Sequence, residues 1–190
     1  MGMFEINVTL DCNLKCPYCA MKERLNQPLD FSSVLDKLRS IKDTSCCLSG
    51  GEPGLLPKEH IQQIIDIARE NNISLSLNTN GLFFKQKEFL REFSRFNVHV
   101  TPFLSKVTIP EGLTLNFVYI VTPQNFNRTD LIEKLVKKYG KLDLIPSSHY
   151  NHEVNRFTLT SSLRPLFKYM TSESVYKYLR NNRYNITYLN

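Results

Sequence analysis

Cys12, Cys16 and Cys19 fall within one short run, Cys12-Asn13-Leu14-Lys15-Cys16-Pro17-Tyr18-Cys19. A loop with steps of four and three residues can converge its sulfurs on one centre. Thiolates are soft ligands and suit zinc or an iron–sulfur cluster. A 4Fe–4S cluster usually takes four cysteines, so this loop would leave one iron open to an outside ligand. A structural zinc site is closed and needs a fourth ligand. Cys46, Cys47 or His60 are candidates for that place, although none stands at zinc-finger spacing. Cys46 and Cys47 are neighbours, and neighbours in a strand point to opposite faces, so they do not grip one ion together. With five cysteines in all and no secretory pattern, metal is favoured over a disulfide framework.

These cysteines follow a first strand, Met3 to Leu10, with Phe4, Ile6, Val8 and Leu10 on one face. Asp30 to Ile41 reads as a helix, capped by Asp30 or Ser32 and turning Val34, Leu35 and Leu38 inward. Thr44 to Leu48 is a second strand, ending in Ser49-Gly50-Gly51-Glu52-Pro53. Pro57 opens a helix carrying Ile61, Ile64, Ile65 and Ala68. Ile73 to Leu77 is a third strand, closed by Asn78-Thr79-Asn80-Gly81. Farther on, the spacing predicts a helix over Lys85 to Phe96 and strands over Val98 to Phe103 and Leu113 to Val121. A helix from Thr129 to Tyr139 is stopped by Gly140, and Leu142 to Ile145 is a sixth strand. Phe157 to Asn182 reads as mostly helical, interrupted at Pro165, and Tyr184 to Leu189 as an edge strand.

Six strands alternating with helices imply parallel βα units. Six units are too few for a closed eightfold barrel, so the expected fold is α/β, an open partial (β/α)6 barrel with a mostly parallel sheet. We expect one domain over 1–190, with core units over 1–146 and a C-terminal helical or edge extension over 147–190. In such sheets function collects at the carboxyl ends of the strands. The polar motifs lie there, after strands one, two and three.

Taken together, the motifs resemble those of the radical S-adenosylmethionine (SAM) superfamily. Cys-x-x-x-Cys-x-Tyr-Cys resembles its cluster signature, including the aromatic Tyr18 before the third cysteine. Ser49-Gly50-Gly51-Glu52-Pro53 is similar to its Gly-Gly-Glu-Pro motif, and Thr79-Asn80-Gly81 to its Thr-Asn-Gly. The resemblance runs from Met3 to about Pro146. It implies a 4Fe–4S cluster on Cys12, Cys16 and Cys19, with SAM bound to the open iron. It also implies that the methionine amino group is held beside Gly50, Gly51 and Glu52, and that Tyr18 packs near the adenine. Glu52 is equally readable as a carboxylate anchoring the turn, and Tyr18 as a lid on the cluster. Asn78 and Thr101 are further candidate SAM contacts, with His99, Ser105 and Lys106 near the fourth strand. Ile145-Pro146 is a candidate adenine wall. The family's glycine-containing motif in strand five is missing from Asn116-Phe117-Val118-Tyr119-Ile120.

The implied chemistry is one-electron reduction of SAM to methionine and a 5′-deoxyadenosyl radical, which takes hydrogen from a substrate. Reduced flavodoxin or ferredoxin is the implied electron donor. A small molecule or nucleotide derivative is the leading substrate class. The other enzyme readings are an activase for a glycyl-radical enzyme and a minimal peptide-modifying enzyme. A non-catalytic metal-binding scaffold is a distant fourth, because a scaffold has no need of the Gly-Gly-Glu segment. The absence of cysteines after Pro146 counts against a multi-cluster peptide maturase. Net charge is +6 and the pI near 9.1, compatible with an anionic partner. Lys168, Lys177, Arg180 and Arg183 form only a modest basic cluster, so nucleic acid is possible but not favoured. No apolar run is long enough to span a membrane. The first residues lack a signal-peptide pattern, so a cytoplasmic protein is expected. His149 and His152 follow strand six, where a substrate contact competes with a plain solvated loop.

Overall fold

The structure, a computed structural model, describes residues 3–19, 21–122, 125, 129–140 and 142–146. Contacts sort the chain into two compact units, Met1–Cys16 with Met21–Leu115, and Pro17–Ala20 with Asn116–Asn190. Among the described residues no helix is long and apolar enough to cross a membrane.

The first unit holds β1 (Met3–Thr9), α1 (Phe31–Arg39), β2 (Thr44–Gly50), α2 (Lys58–Glu70), β3 (Ile73–Thr79) and β4 (Phe93–His99). Each strand pairs in parallel with the next, through Met3 with Ser45, Thr44 with Ile73, and Leu75 with Phe93. The helices start and stop where their sequences say. Asp30 accepts a hydrogen bond from the Ser32 amide at 3.0 Å, and Lys37 and Arg39 sit in the last turn of α1, where cations suit the helix dipole. Pro57 stands at the start of α2, whose Ile61, Ile64, Ile65, Ile67 and Ala68 are buried. α1 packs on β1, α2 on β3, and the helices pack on each other. Val8, Leu38, Ile64, Ile65, Leu77 and Phe96 form the centre of this core, each 1% exposed or less.

The other face of this sheet is polar. Glu5 pairs in register with Cys47, Cys47 with Ser76 and Ser76 with Arg95, which makes one row. One step toward the carboxyl ends, Asn7 pairs with Ser49 and Asn78 with Asn97. Parallel strands covered on both faces usually read as continuous apolar runs. Here every second residue is polar, which marks a face reserved for something other than core.

The second unit holds β5 (Leu115–Val121) from Asn116 onward, α3 (Thr129–Tyr139) and β6 (Leu142–Pro146). β5 and β6 pair in parallel from Phe117 with Leu142 to Val121 with Pro146. Gly140 takes φ +81°, and its amide bonds Val136 O at 2.8 Å, so it ends α3 in the expected left-handed turn. The segments expected over 157–182 and 184–189, like His149 and His152, lie outside the described residues.

The sequence expectation failed between β3 and β4. Lys85–Phe96 is not a helix. Leu82–Lys85 and Lys87–Glu92 are 3-10 turns, and β4 begins at Phe93. Likewise Val98–Phe103 is not a strand: β4 ends at His99, and Pro102–Lys106 is another 3-10 turn. The register of β3 on β4 shifts between Leu75 and Ser76, so Ser94 is passed over. This bulge turns Phe93 and Phe96 toward the same apolar cluster, with ring centroids 5.5 Å apart. Residues three apart on one side imitate a helical period, and that misled the reading.

Phe96 is fully buried against Phe83, Phe84 and Phe93. Phe96→Ala is expected to cost about 3–5 kcal/mol, measured as the change in unfolding free energy in urea. A loss under about 1 kcal/mol would mean that the cluster closes over the gap.

Candidate active site

The cysteine loop leaves β1 and is fastened at its root. Gly51 N donates to Thr9 O at 2.7 Å, and Glu52 N donates to Asp11 O at 2.7 Å. A Cβ on Gly50 would stand 2.2 Å from Thr9 O, and one on Gly51 would stand 2.1 Å from Asp11 O. Gly50 also takes φ +114°, which disfavours any side chain. The glycines therefore serve a close approach between two parts of the chain itself. Asn26 holds the loop from the other side: its amide donates to Leu10 O at 2.8 Å, and its Oδ1 accepts from Cys12 N at 3.4 Å.

Glu52 is 1% exposed, so its carboxylate must be paired inside the protein. Oε1 accepts from Thr79 Oγ1 at 2.7 Å and from Gly54 N at 2.9 Å, and Oε2 accepts from Asn80 N at 2.7 Å. Burial pushes its pKa above the ordinary value, while the hydrogen bonds from Asn80, Thr79, Gly54 and Phe83 pull the other way. Of the two roles open to Glu52, the turn anchor is visible directly. Asn80 carries the connection onward, donating from Nδ2 to Asn13 Oδ1 in the cysteine loop at 2.9 Å. The ends of β1, β2 and β3 are thus tied together by side chains of all three motifs.

Cys12, Cys16 and Cys19 are half-buried, and none of the five cysteines is in a disulfide. Leu14 N donates to Cys12 Sγ at 3.4 Å, curling the loop around that sulfur. Cys12 and Cys16 belong to the first unit, Cys19 and Tyr18 to the second. Among the described residues no three His, Cys, Asp or Glu side chains stand together as a formed cation site. The fit to a three-thiolate cluster therefore rests on the donor set and the pinned loop.

The zinc alternative loses its fourth ligand. Cys46 and Cys47 are buried on opposite faces of β2. Burial, then Cys47 and Glu5, push the Cys46 thiol up to about 12. Burial also raises Cys47, against smaller effects of Ser76, Arg95 and Asn97. Protonated thiols are poor ligands. His60 is engaged elsewhere, stacked on Phe31 with ring centroids 3.8 Å apart.

Thr101 follows β4, and its Oγ1 is buried with no hydrogen-bond partner. Such an atom has hydrogen-bonding capacity that the described residues leave unused. Asn78 lies lower, in the polar face. Its Nδ2 donates to Ser49 Oγ at 3.2 Å, and its Oδ1 accepts from Asn97 Nδ2 at 2.8 Å and Cys47 Sγ at 3.4 Å. His99 ends β4, where burial lowers its pKa and Glu5 opposes. Ser105 and Lys106 are exposed on the following turn. Sequence reading missed the supporting residues Asn13 and Asn26 and the polar-face residues Glu5, Asn7, Ser76, Arg95 and Asn97. The signal for the latter group was present, as polar residues at alternate strand positions.

Comparison with known proteins agrees with this arrangement. Residues 6–107 match the family model described as the radical SAM superfamily. A relative from Fibrobacter sp. (strain UWH6), an S-adenosylmethionine-dependent nucleotide dehydratase, is 29% identical over 58% of this chain and 37% of its own length. The 7-carboxy-7-deazaguanine synthase of Haemophilus influenzae is 32% identical over 37% of this chain and 33% of its own. The GTP 3',8-cyclase of Lactiplantibacillus plantarum is 25% identical over 80% of this chain and 51% of its own. The chain thus spans about a third of the length of the first two relatives. Among solved structures, "Native anSMEcpe with bound AdoMet and Cp18Cys peptide" matches with a TM-score of 0.68 at 18% identity, covering 87% of this chain and 58% of that one. That likeness supports the open partial-barrel fold.

Two substitutions probe the fastening. Glu52→Gln keeps the shape but sets an NH2 against backbone donors, and is expected to cost about 1–3 kcal/mol in urea unfolding. An unchanged midpoint would show that one acceptor oxygen suffices. Gly51→Ala drives a Cβ into the Asp11 carbonyl and is expected to lower the iron bound per chain after identical anaerobic reconstitution. Iron content equal to the unsubstituted protein would show that the loop does not depend on this close approach.

Proposed function

The chain belongs to the radical SAM superfamily, and from that premise we propose that it cleaves SAM reductively to start hydrogen abstraction from a small molecule or nucleotide derivative. Homologues in this superfamily are enzymes, and the family implies a 4Fe–4S cluster and SAM. Cys12, Cys16 and Cys19 are the proposed cluster ligands. Together, bound cluster and SAM would supply the electron transfer and the carbon radical.

This chain's own residues do the positioning. The observation that carries the reading is the root of the cysteine loop, bonded to Gly51 and Glu52 through Thr9 O and Asp11 O. A loop held in that way carries Cys12 and Cys16 directly beyond the carboxyl end of β1. The methionine amino group of SAM is assigned to the β2 strand end, whose backbone path Gly50 and Gly51 set by their close approach to Thr9 and Asp11. Glu52 fixes the turn, and its negative charge favours an ammonium nearby. Thr101 Oγ1 offers a hydrogen bond at the end of β4, Tyr18 a flat surface next to the cluster, and Asn78 a positioned amide deeper in the face. The net charge of +6 supports docking of an acidic electron donor such as reduced flavodoxin or ferredoxin. The likeness to a nucleotide dehydratase, a 7-carboxy-7-deazaguanine synthase and a GTP 3',8-cyclase supports the small-molecule or nucleotide substrate class.

After anaerobic reconstitution with iron and sulfide, dithionite and SAM should yield 5′-deoxyadenosine, and the protein should be brown. Cys16→Ala should lose both properties. A Cys16→Ala protein with full colour and full 5′-deoxyadenosine formation would overturn the cluster assignment.

A further inference from the structure

On the polar face of the first unit stand a carboxylate and a guanidinium that form no ion pair among the described residues. Glu5 and Arg95 occupy opposite ends of the row Glu5–Cys47–Ser76–Arg95. At about 4.8 Å per strand, three steps separate their backbones by about 14 Å along the sheet. Among the described residues the ion pairs involve Arg39, Lys58 and Arg69, and neither Glu5 nor Arg95 takes part. Glu5 bears electrostatically on His99 of β4, opposing the effect of burial there.

Arg95 is half-buried, and its direct register partner is Ser76. Ser76 is only 5% exposed. Its hydroxyl stands near enough to the Cys47 thiol to lower that pKa, and among the described residues Ser76 Oγ is buried without a partner in good hydrogen-bonding geometry. A buried hydroxyl left unpaired calls for a bound group to complete it. The pairing itself is produced by the bulge: with Leu75 opposite Phe93, an unbroken register would place Ser94 beside Ser76. Ser94 instead donates from Oγ to Leu75 O at 2.8 Å, and Arg95 takes the place on the polar face.

We propose that Arg95 and Ser76 anchor an oxyanion, a carboxylate or a phosphate, carried by the substrate. This rests on the proposed function for its setting and adds to it a chemical class of substrate. The guanidinium offers a fork of donors that matches two oxygens of such a group, and the Ser76 hydroxyl adds a third donor. Glu5 repels an anion from the β1 edge, so the substrate is oriented with its anionic end toward β4. The row above, Asn7, Ser49, Asn78 and Asn97, faces the neutral polar part. Three of its members are linked by the Asn78 hydrogen bonds to Ser49 and Asn97, and Asn7 pairs in register with Ser49.

The test is equilibrium binding of pyrophosphate and of citrate to the reconstituted protein with saturating SAM, at constant ionic strength set by sodium chloride. At least one of the two should bind saturably, and which one does distinguishes a phosphate from a carboxylate substrate. Arg95→Gln should weaken that binding at least tenfold, with Arg95→Lys in between and far-UV circular dichroism unchanged. Should Arg95→Gln fail to fold, Ser76→Ala decides, with an expected severalfold weakening. Binding of neither anion, equal binding by the folded variants, or displacement of the anion by SAM would overturn the anchor. Anion binding in a protein that forms no 5′-deoxyadenosine would retire the proposed function and leave the anchor standing. SAM cleavage without anion binding would do the reverse.

Discussion

A carboxylate with almost no access to water must find its donors within the protein, and Glu52 finds them at the ends of two strands. Leaving such a group unpaired would cost several kcal/mol, so the backbone around it has little freedom. One oxygen reaches Thr79 and the Gly54 amide, and the other reaches the Asn80 amide. Through Asn80 and Asn13 the same network extends into the cysteine loop. The two bonds from Gly51 and Glu52 to Thr9 and Asp11 close the circuit on the backbone side. What look in the sequence like separate motifs are the corners of one hydrogen-bonded frame.

The sheet beneath this frame has two unlike faces. On one, Val8, Leu48, Leu75, Leu77 and Val98 meet the helices in a dry core. On the other, alternate residues are acids, amides, hydroxyls and a guanidinium. Burying such groups without partners is unfavourable, so a face of this composition is stable when it stays accessible or when a bound molecule completes it. Among the described residues the apolar core lies on the helical side, while the polar side carries the groups suited to recognition.

Much of this was legible in the sequence, for identifiable reasons. The strands β1, β2 and β3 were marked by short apolar alternations ending in motifs rich in glycine and asparagine, and α1 and α2 by their caps and isoleucine spacing. The cysteine loop and the Gly-Gly-Glu turn were recognisable because each needs particular residues at fixed steps. The part that Gly50 and Gly51 play was not, because their crowding comes from Thr9 and Asp11, some forty residues away in the chain. β4 was misplaced because one extra residue, Ser94, changes the apparent period of a strand into that of a helix. That Glu52 anchors the turn was one of two readings open in the sequence, but its donors at Thr79 and Asn80 could be found only in space, because they lie nearly thirty residues farther along the chain.

The Glu52 frame is made wholly of protein atoms. Small metal-dependent domains that owe their fold to the ion pass from unfolded to folded as it binds. Here the loop that carries Cys12 and Cys16 is tied to β2 and β3 by bonds between protein atoms alone. The frame is accordingly a fastening of the fold in its own right, and the order of the strand ends is set by the chain itself, separately from whatever the thiols hold.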